Sequence, residues 1–350
     1  MQRASIGTSG LNSGAMNSFR LLLAALLFAA LLGACFFADA QENRQPPKPT
    51  IRVSVDRVNV GVIVTDRSGH FVEGLRREDF RVFDNGIEQP LTGFAAIEEP
   101  AQVLFLIEAG PAVYLLASGH LQAAVGLLHS LSSEDRVAVV KYADSPTALL
   151  DLTPDKEAVL EAFGQLRFNL GFGSLNLLSS VSTVLEWLSS VPGKKTIVLL
   201  ATGVDTSSSN ESGPAMQQLK VSDVRLLAVS LAGDLEGPEP TGKKKSPTTN
   251  YSKTAQEFEQ ANQLLKRMAE STGGRAYFPR NAKEFSSVYA EIAQLVRHEY
   301  SLVFAPPARD GLVHAIEVRI DAAQNKIPNS QAPAYRVDHR QAYIAPAPGE

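Results

Sequence analysis

The spacing of apolar residues divides the chain into a β-rich start, a long middle with alternating patterns and a β-rich end. Valines occupy every second position over residues 58–64, which is the period of a strand with one buried face. Apolar runs at 80–83 and 87–91 flank Asn85-Gly86, a pair that favours the type I′ turn of a hairpin. Residues 51–97 are therefore predicted to form a β segment, which is too small to bury a good core alone.

From Pro100 onward, short apolar runs alternate with amphipathic stretches. Strands, several of them buried on both faces, are predicted at 103–107, 136–142, 196–200 and 225–230. Helical spacing covers 120–131, 178–188, 258–268 and 285–295, with Gly273-Gly274 as the stop signal of the third helix. Another helix is predicted to open with Thr153 as N-cap and Pro154 in the first position. This alternation predicts a doubly wound, mainly parallel α/β sheet over residues 98–298.

The pattern returns to β after Arg297. Strands are predicted at 300–304, 313–320 and 335–343 within a C-terminal β segment, residues 299–346. Like the N-terminal segment, it is too small to fold well alone, so the two flanks are expected to share one β module.

The first forty residues have the features of a secretory signal peptide. Arg20 precedes an apolar run over 21–37, and Ala38-Asp39-Ala40 matches the A-x-A signal for cleavage ahead of Gln41. The apolar run is short for a membrane span. We therefore expect export to the periplasm, the outer cell envelope or the medium.

Cys35 is the only cysteine, so no intrachain disulfide can form. Together with Leu32-Gly33-Ala34 it resembles a lipoprotein signal, and a lipid anchor on Cys35 stays open as the alternative to cleavage after Ala40. Met16 begins a more typical signal peptide than Met1 does, so either is a candidate start. Residues 41–50 are predicted to be a Pro-rich linker.

Composition and charge narrow the class of partner. With 44% hydrophobic and 20% charged residues, the chain is globular and not disordered. Its net charge of −4 argues against nucleic acid or an anionic membrane, because proteins that bind them carry a clustered basic surplus. The basic run Lys243-Lys244-Lys245 lies among Gly, Pro, Ser and Thr residues and is interpreted as a solvated loop.

Several phrases, in order across residues 50–346, resemble those of one protein family. They are Val62-Ile63-Val64-Thr65-Asp66-Arg67-Ser68-Gly69, Glu78-Asp79-Phe80 with Asp84-Asn85-Gly86, Leu199-Leu200-Ala201-Thr202-Gly203-Val204-Asp205-Thr206-Ser207, and the stretch 340–346. In these phrases the chain resembles the von Willebrand factor A-related family described from Acidobacteria. The resemblance implies an A domain inserted between β segments that pack into one small β-sandwich-like module.

The resemblance also implies where a metal-ion-dependent adhesion site would lie. The family's site uses an Asp-x-Ser-x-Ser motif, a threonine and a second aspartate, whose oxygens suit a hard cation such as Mg²⁺. The matching positions here are Glu108, Gly110, Ala112, Ser174 and Thr202. Gly110 and Ala112 have no side-chain oxygen, and Thr202 puts a hydroxyl where the family has a carboxylate. We therefore expect a degenerate site that binds no metal or other cofactor.

Two further interpretations of Glu108 stay open. Glu108 and Asp205 could together hold Mg²⁺ or another divalent cation in an altered geometry, although Asp205 matches no ligand position of the family. Glu108 could instead be a solvated carboxylate at a strand end.

Common enzyme motifs are absent from the sequence, among them G-x-S-x-G, H-E-x-x-H and the Walker A loop. Trp187 lies within an apolar helix and is predicted to be a core residue. The predicted function is non-catalytic protein binding in the cell envelope or secreted fraction, independent of metal. The alternatives are a structural envelope scaffold or assembly subunit and, less favoured, a hydrolase with an unrecognised site.

The partner is expected to be a protein, which the sequence does not identify. Parallel strands deliver their carboxyl ends to one face, so the loops over 108–118, 170–174 and 202–213 are the predicted binding surface. The candidate contact residues are Pro111, Val113, Tyr114, Phe172 and Asp205. The apolar ones among them could equally serve to pack the loops down.

Overall fold

The computed structural model describes residues 57–97, 99–110, 117–166, 173–206, 212–232, 249–321 and 335–348. These residues all belong to one compact unit, Val55–Glu350. The predicted signal peptide, the linker, Cys35 and the lysine run lie outside the described residues. Within the described ranges, no helix is both long enough and apolar enough to span a membrane.

The described residues form fourteen strands and six α-helices. The strands are β1 (Val58–Thr65), β2 (Phe80–Asp84), β3 (Ile87–Gln89), β4 (Leu91–Ile97), β5 (Ala101–Glu108), β6 (Arg136–Tyr142), β7 (Pro146–Thr153), β8 (Lys194–Ala201), β9 (Val224–Ser230), β10 (Ala276–Tyr277), β11 (Glu299–Phe304), β12 (Val313–Ile320), β13 (Arg336–His339) and β14 (Ala342–Ile344). The helices are α1 (Ala117–Ser130), α2 (Lys156–Gly164), α3 (Leu177–Ser189), α4 (Ser212–Val221), α5 (Thr249–Ser271) and α6 (Ala282–Arg297).

A six-stranded sheet forms the centre of the α/β unit, in the order β10-β9-β8-β5-β6-β7. All neighbouring strands are parallel except β7, which pairs antiparallel with β6 at one edge. Buried residues of α1, α2 and α6 pack on one face, and those of α3, α4 and α5 pack on the other. The prediction of a doubly wound, mainly parallel sheet is confirmed.

Two antiparallel sheets combine the N- and C-terminal flanks. Their orders are β13-β1-β11-β4 and β14-β12-β2-β3, so each contains strands from both ends of the chain. They share one core, to which Val60, Val82, Tyr300 and Val318 contribute. The hairpin between β2 and β3 turns through Asn85 (φ 47°) and Gly86 (φ 82°), the positive angles that a type I′ turn requires. The expected shared β-sandwich-like module is therefore present.

The sandwich and the α/β unit are joined through buried contacts. Ile63 on β1 belongs to the hydrophobic core of the α/β unit. The guanidinium of Arg275 contacts Asp338 (2.5 Å) and the hydroxyl of Thr65 (2.8 Å), both in the sandwich. Gly273 has a positive φ of 69°, and a Cβ there would overlap the backbone of His339. This region of the α/β unit is therefore fixed to β1 and β13.

Three expectations about local structure are wrong. The single strand predicted at 335–343 is two strands in different sheets, β13 and β14, because the chain crosses between the sheets near Arg340. Thr153 ends β7, and the N-cap of α2 is Asp155, whose carboxylate accepts from two backbone N–H groups of the first turn. Trp187 is 36% exposed, since α3 turns Leu185 and Leu188 inward.

Candidate functional site

Glu108, at the carboxyl end of the central strand β5, is the centre of a buried polar cluster. Its side chain is fully buried. The Thr202 backbone N–H and hydroxyl each donate to Oε2 of Glu108, both over 2.8 Å, and the Tyr142 hydroxyl lies 3.3 Å from the same oxygen. The cluster therefore links the ends of three adjacent strands, β6, β5 and β8.

Strand register brings these three residues together. Tyr142 ends β6 directly opposite Glu108, and Thr202 follows immediately after β8, which pairs with β5 on the other side. Tyr142 is itself completely buried, so its ring closes the cluster from one side. Tyr142 is not among the site residues predicted from the sequence, although its place at the end of a predicted strand was a usable signal.

Burial controls the electrostatics of the cluster. Desolvation raises the pKa of Glu108 above its ordinary value, while the hydrogen bonds from Thr202 and Tyr142 act in the opposite direction. Desolvation and the adjacent Glu108 carboxylate raise the pKa of Tyr142, which therefore stays a neutral hydrogen-bond donor. The interpretation of Glu108 as a solvated carboxylate at a strand end is wrong.

The segment after Thr202 leaves this cluster and binds the start of α3. Gly203 has φ 80°, and a Cβ there would lie 2.7 Å from the carbonyl oxygen of Ala261, so only glycine fits this turn. Asp205 Oδ2 then accepts from the backbone N–H of Leu178 over 2.8 Å, in the first turn of α3. Asp205 thus serves as a carboxylate cap for that helix.

A second set of hydrogen bonds fixes the same loop. The Leu175 N–H donates to the Thr206 hydroxyl over 2.7 Å, and the Thr206 N–H donates to the Leu175 carbonyl over 2.7 Å. The segments 175–178 and 202–206 are therefore bound together where the parallel strands end. We call this side of the sheet, formed by the carboxyl ends of its parallel strands, the carboxyl edge.

The other matched positions lie in different surroundings. Gly110 lies against the cluster, since a Cβ there would be 3.2 Å from Oε1 of Glu108 and 3.1 Å from the side chain of Leu175. Ser174 is exposed. Ala112 and the candidate contact residues Pro111, Val113, Tyr114 and Phe172 lie outside the described residues.

The oxygen atoms of these residues are not arranged as the ligands of a six-coordinate Mg²⁺ ion would be. Octahedral Mg²⁺ needs oxygens that converge on one point. Here the carboxylate of Glu108 accepts hydrogen bonds from its protein neighbours, Gly110 offers no side-chain oxygen, and Asp205 is bound to α3. In the described ranges no cluster of three or more His, Cys, Asp or Glu side chains is placed to hold a metal ion.

Comparisons with known proteins give distant similarities. No family model matches the chain. It is 25% identical over 189 residues to a UPF0353 protein of Mycolicibacterium paratuberculosis, a match that covers 51% of this chain and 53% of that protein. The chain thus spans about half the length of this curated relative.

Two solved structures show likeness of fold alone. One is a von Willebrand factor type A protein from Catenulispora acidiphila, at 11% identity and TM-score 0.43, covering 77% of this chain and 74% of that one. The other is proximal thread matrix protein 1 from the mussel byssus, at 12% identity and TM-score 0.43, covering 61% of this chain and 51% of that one.

Proposed function

We propose that this chain is a non-catalytic protein-binding module that works without a metal ion, at the cell envelope or outside the cell. The observation that carries the proposal is the closed cluster of Glu108, Thr202 and Tyr142. The carboxylate at the position where the resembling family begins its cation site is fully buried and accepts hydrogen bonds from Thr202 and Tyr142.

This closure determines what the carboxyl edge can offer a partner. An acid that is wholly buried cannot reach a substrate, and it cannot bridge through an ion to a partner's carboxylate. Opening the cluster to admit a cation would break three hydrogen bonds and leave buried donors unpaired, at a cost of about 1–3 kcal/mol for each. Binding at this edge would therefore rely on the surface of the loops and not on Glu108.

The loops of the carboxyl edge supply a suitable platform. Segment 202–206 is fixed to 175–178 by the bonds of Thr206 and Asp205, so their backbones are held in one arrangement before a partner arrives. A surface ordered in advance loses less conformational entropy on binding. Ser174 is exposed beside this platform. We propose that the partner contacts it together with Pro111, Val113, Tyr114 and Phe172.

A pair of matched substitutions tests the location of this surface. Ser174→Arg places a bulky cation on the platform. Ser190→Arg makes the same change just after α3, towards the opposite edge of the sheet, where Ser190 is also exposed. Protein captured from the envelope fraction by the full chain is identified first, and its affinity is then measured for both variants, with and without EDTA.

We expect Ser174→Arg to weaken binding by about tenfold or more, equivalent to about 1.4 kcal/mol, while Ser190→Arg and EDTA leave the affinity unchanged. Loss of binding in EDTA contradicts metal independence. Equal binding by both variants contradicts the location.

A structural scaffold is the second candidate, and one observation favours it. The contacts of Arg275 with Asp338 and Thr65 fix the α/β unit to the sandwich, which suits a subunit that has to withstand mechanical force. A scaffold would assemble with copies of itself or with a fixed lattice. Sedimentation analysis over a hundredfold range of concentration distinguishes a scaffold from a protein-binding module, because the latter has no need to self-associate.

A further inference from the structure

A cavity of about 800 Å³ lies at the amino ends of β8 and β9, opposite the edge that carries Glu108. Its walls come from those strands, the ends of α3 and α4, and the strands β1, β11 and β14 of the sandwich. Glu186 and Ile344 are exposed lining residues, so the cavity reaches the surface. This volume is in the range of sites that hold small organic molecules.

Two ion pairs in the lining are complete. Lys195 lies 2.7 Å from Asp223, and its ammonium also donates to the carbonyl of Val191. Arg225 lies 3.2 Å from Glu299 and donates to backbone carbonyls as well. These four charged groups cancel one another and leave no surplus of either sign.

The other charged lining residues are Lys194 and Arg340, whose charged ends include buried nitrogen atoms, and the exposed residues Arg57, Glu99 and Glu186. The ammonium of Lys194 and Nε of Arg340 are buried without a hydrogen-bond partner within the described part of the chain, although Nη2 of Arg340 donates to the carbonyl of Asn59 over 2.8 Å. Burial lowers the pKa of Lys194 by more than the field of nearby Glu299 raises it. The hydroxyl of Thr196, which also lines the cavity, is buried without a partner among the described residues.

Such groups are costly unless something pairs with them. A buried charge without a partner destabilises a fold, and buried donors are normally hydrogen-bonded. An apolar residue at position 194 would avoid this cost. A ligand that pairs with the charge of Lys194 would offset the cost and would give a reason for a lysine at this position. The lining also includes apolar residues, among them Leu185 and Val224.

We propose that this cavity binds a small ligand carrying a carboxylate or phosphate group, with Lys194 and Arg340 as its cationic contacts and Thr196 as a further donor. The oxyanion would receive charge-assisted hydrogen bonds from both cations, which are the stronger class of such bonds. An apolar body on the ligand would contact Leu185 and Val224. The site lies at the opposite edge of the sheet from the proposed protein-binding surface and stands independently of it.

Calorimetric titration of the full chain with two probes tests the proposal. Inorganic phosphate supplies the oxyanion alone, and hexanoate supplies a carboxylate with an apolar body. Sodium chloride at matched ionic strength controls for screening. Lys194→Met removes the charged end while keeping an unbranched side chain, and Lys194→Arg keeps the charge. Lys283→Met, at an exposed position of α6, controls for a general change in charge.

We expect saturable binding of at least one probe, weakened tenfold or more in Lys194→Met, retained in Lys194→Arg and unchanged in Lys283→Met. Binding of phosphate alone identifies the oxyanion as sufficient, and tighter binding of hexanoate identifies a carboxylate with an apolar body. Without ligand, Lys194→Met should be at least as stable as the wild type, so loss of binding cannot be attributed to unfolding. Failure of both probes to bind, or equal binding by Lys194→Met and Lys283→Met, overturns the proposal.

Discussion

The hydroxyl of Thr202 donates to the carboxylate of Glu108 over 2.8 Å, although 94 residues separate the two along the chain. This bond joins the ends of the paired strands β5 and β8, and Tyr142 extends the connection to β6. The carboxyl edge of the sheet is thus closed by interactions between protein groups, with consequences for stability that can be measured.

Substitution of Glu108 should separate the hydrogen-bonding role of its side chain from its charge. In Glu108→Gln, the carboxamide oxygen can still accept from the Thr202 N–H and the Tyr142 hydroxyl, and the amide NH2 can donate to the Thr202 hydroxyl, so the fold should lose less than about 1 kcal/mol at pH 7. Glu108→Ala leaves the buried donors unpaired and should cost about 2–4 kcal/mol. Urea unfolding of the three proteins measures these differences.

The stability of the wild type relative to Glu108→Gln should depend on pH, and the direction of the change can be predicted. Because burial raises the pKa of folded Glu108 above its ordinary 4.5, its contribution to stability is full below pH 4.5 and is lost as the pH rises through the folded value. The free energy of unfolding of the wild type relative to Glu108→Gln should therefore fall as the pH rises from 4 to 8. A relative stability that rises over this range would show that the folded pKa is lowered instead.

Divalent cations should not stabilise the protein. An ion bound at a hundredfold above its dissociation constant would add about 2.7 kcal/mol of stability. We expect millimolar Mg²⁺, Mn²⁺ or Ca²⁺ to leave the melting temperature as it is in EDTA, since the Glu108 carboxylate is occupied by Thr202 and Tyr142. A saturable increase that disappears in Glu108→Ala would contradict this expectation.

His314 should make the sandwich sensitive to pH. Its Nδ1 lies 2.8 Å from the buried carboxylate of Asp84, and its Nε2 lies 3.2 Å from Asp310. Burial lowers the pKa of His314, but the bonds to Asp310 and Asp84 outweigh it, so the net direction is upward from 6.5. Its contribution is therefore full below pH 6.5 and lost as the pH rises through the folded value.

Comparison of the wild type with His314→Gln measures that contribution. The difference in unfolding free energy should shrink between pH 6 and pH 9. His129→Gln, at an exposed position of α1, is the matched control and should show no comparable trend. An unchanged difference across this range would show that folding does not raise the pKa of His314.

Truncation after Arg297 should destabilise the N-terminal strands and not only remove a tail. It deletes β11, which pairs with both β1 and β4, and it also deletes β12, the partner of β2. The remaining strands would present unpaired edges, which promote aggregation. Limited proteolysis and solubility of residues 51–297 test this, and resistance equal to that of the full chain would contradict the shared module.

Gly273 should tolerate substitution much less well than Gly69. Both have positive φ, at 69° and 85°, so alanine at either costs about 1–2 kcal/mol of backbone strain. A Cβ at Gly69 meets nothing within 4 Å, whereas one at Gly273 overlaps the backbone of His339. Gly273→Ala should therefore cost more than about 3 kcal/mol in chemical denaturation. Equal losses in the two variants would show that the contact with β13 yields easily.

Local patterns in the sequence predicted the sheet but not the chemistry at its edge. Period-two valines in β1 and the Asn85-Gly86 turn follow from rules that act over a few residues, and both are confirmed. The burial of Glu108 depends on Thr202, which lies 94 positions away, and on the strand order that places Tyr142 beside it. From local sequence alone, a glutamate at the end of a strand is expected to be solvated, because the residues that bury it are distant in the chain.

The features that were not predicted, or were predicted wrongly, also depend on neighbours that are distant in the sequence or on the position of an element in the fold. β7 is a partly exposed edge strand without a clear apolar period, so it gave no pattern to detect. The separation of β13 from β14 depends on which sheet each joins, and the continuous stretch 335–343 carries no signal of that change. Trp187 lies on a helix that is rich in apolar residues, which suggests burial. Its side chain is nevertheless at the surface, because this position of the helix faces away from the core.

The connection between the sandwich and the α/β unit has a consequence for how such a chain can be rearranged. The chain enters the α/β unit after Ile97 and leaves it before Glu299, and these two residues face each other on the adjacent antiparallel strands β4 and β11. Topologically, about two hundred residues thus occupy the place of a hairpin loop. A different domain whose termini lie one strand spacing apart could therefore join β4 to β11 without altering the strand order of the sandwich, but it would also have to cover Ile63 and pair with Asp338, which now contact the α/β unit.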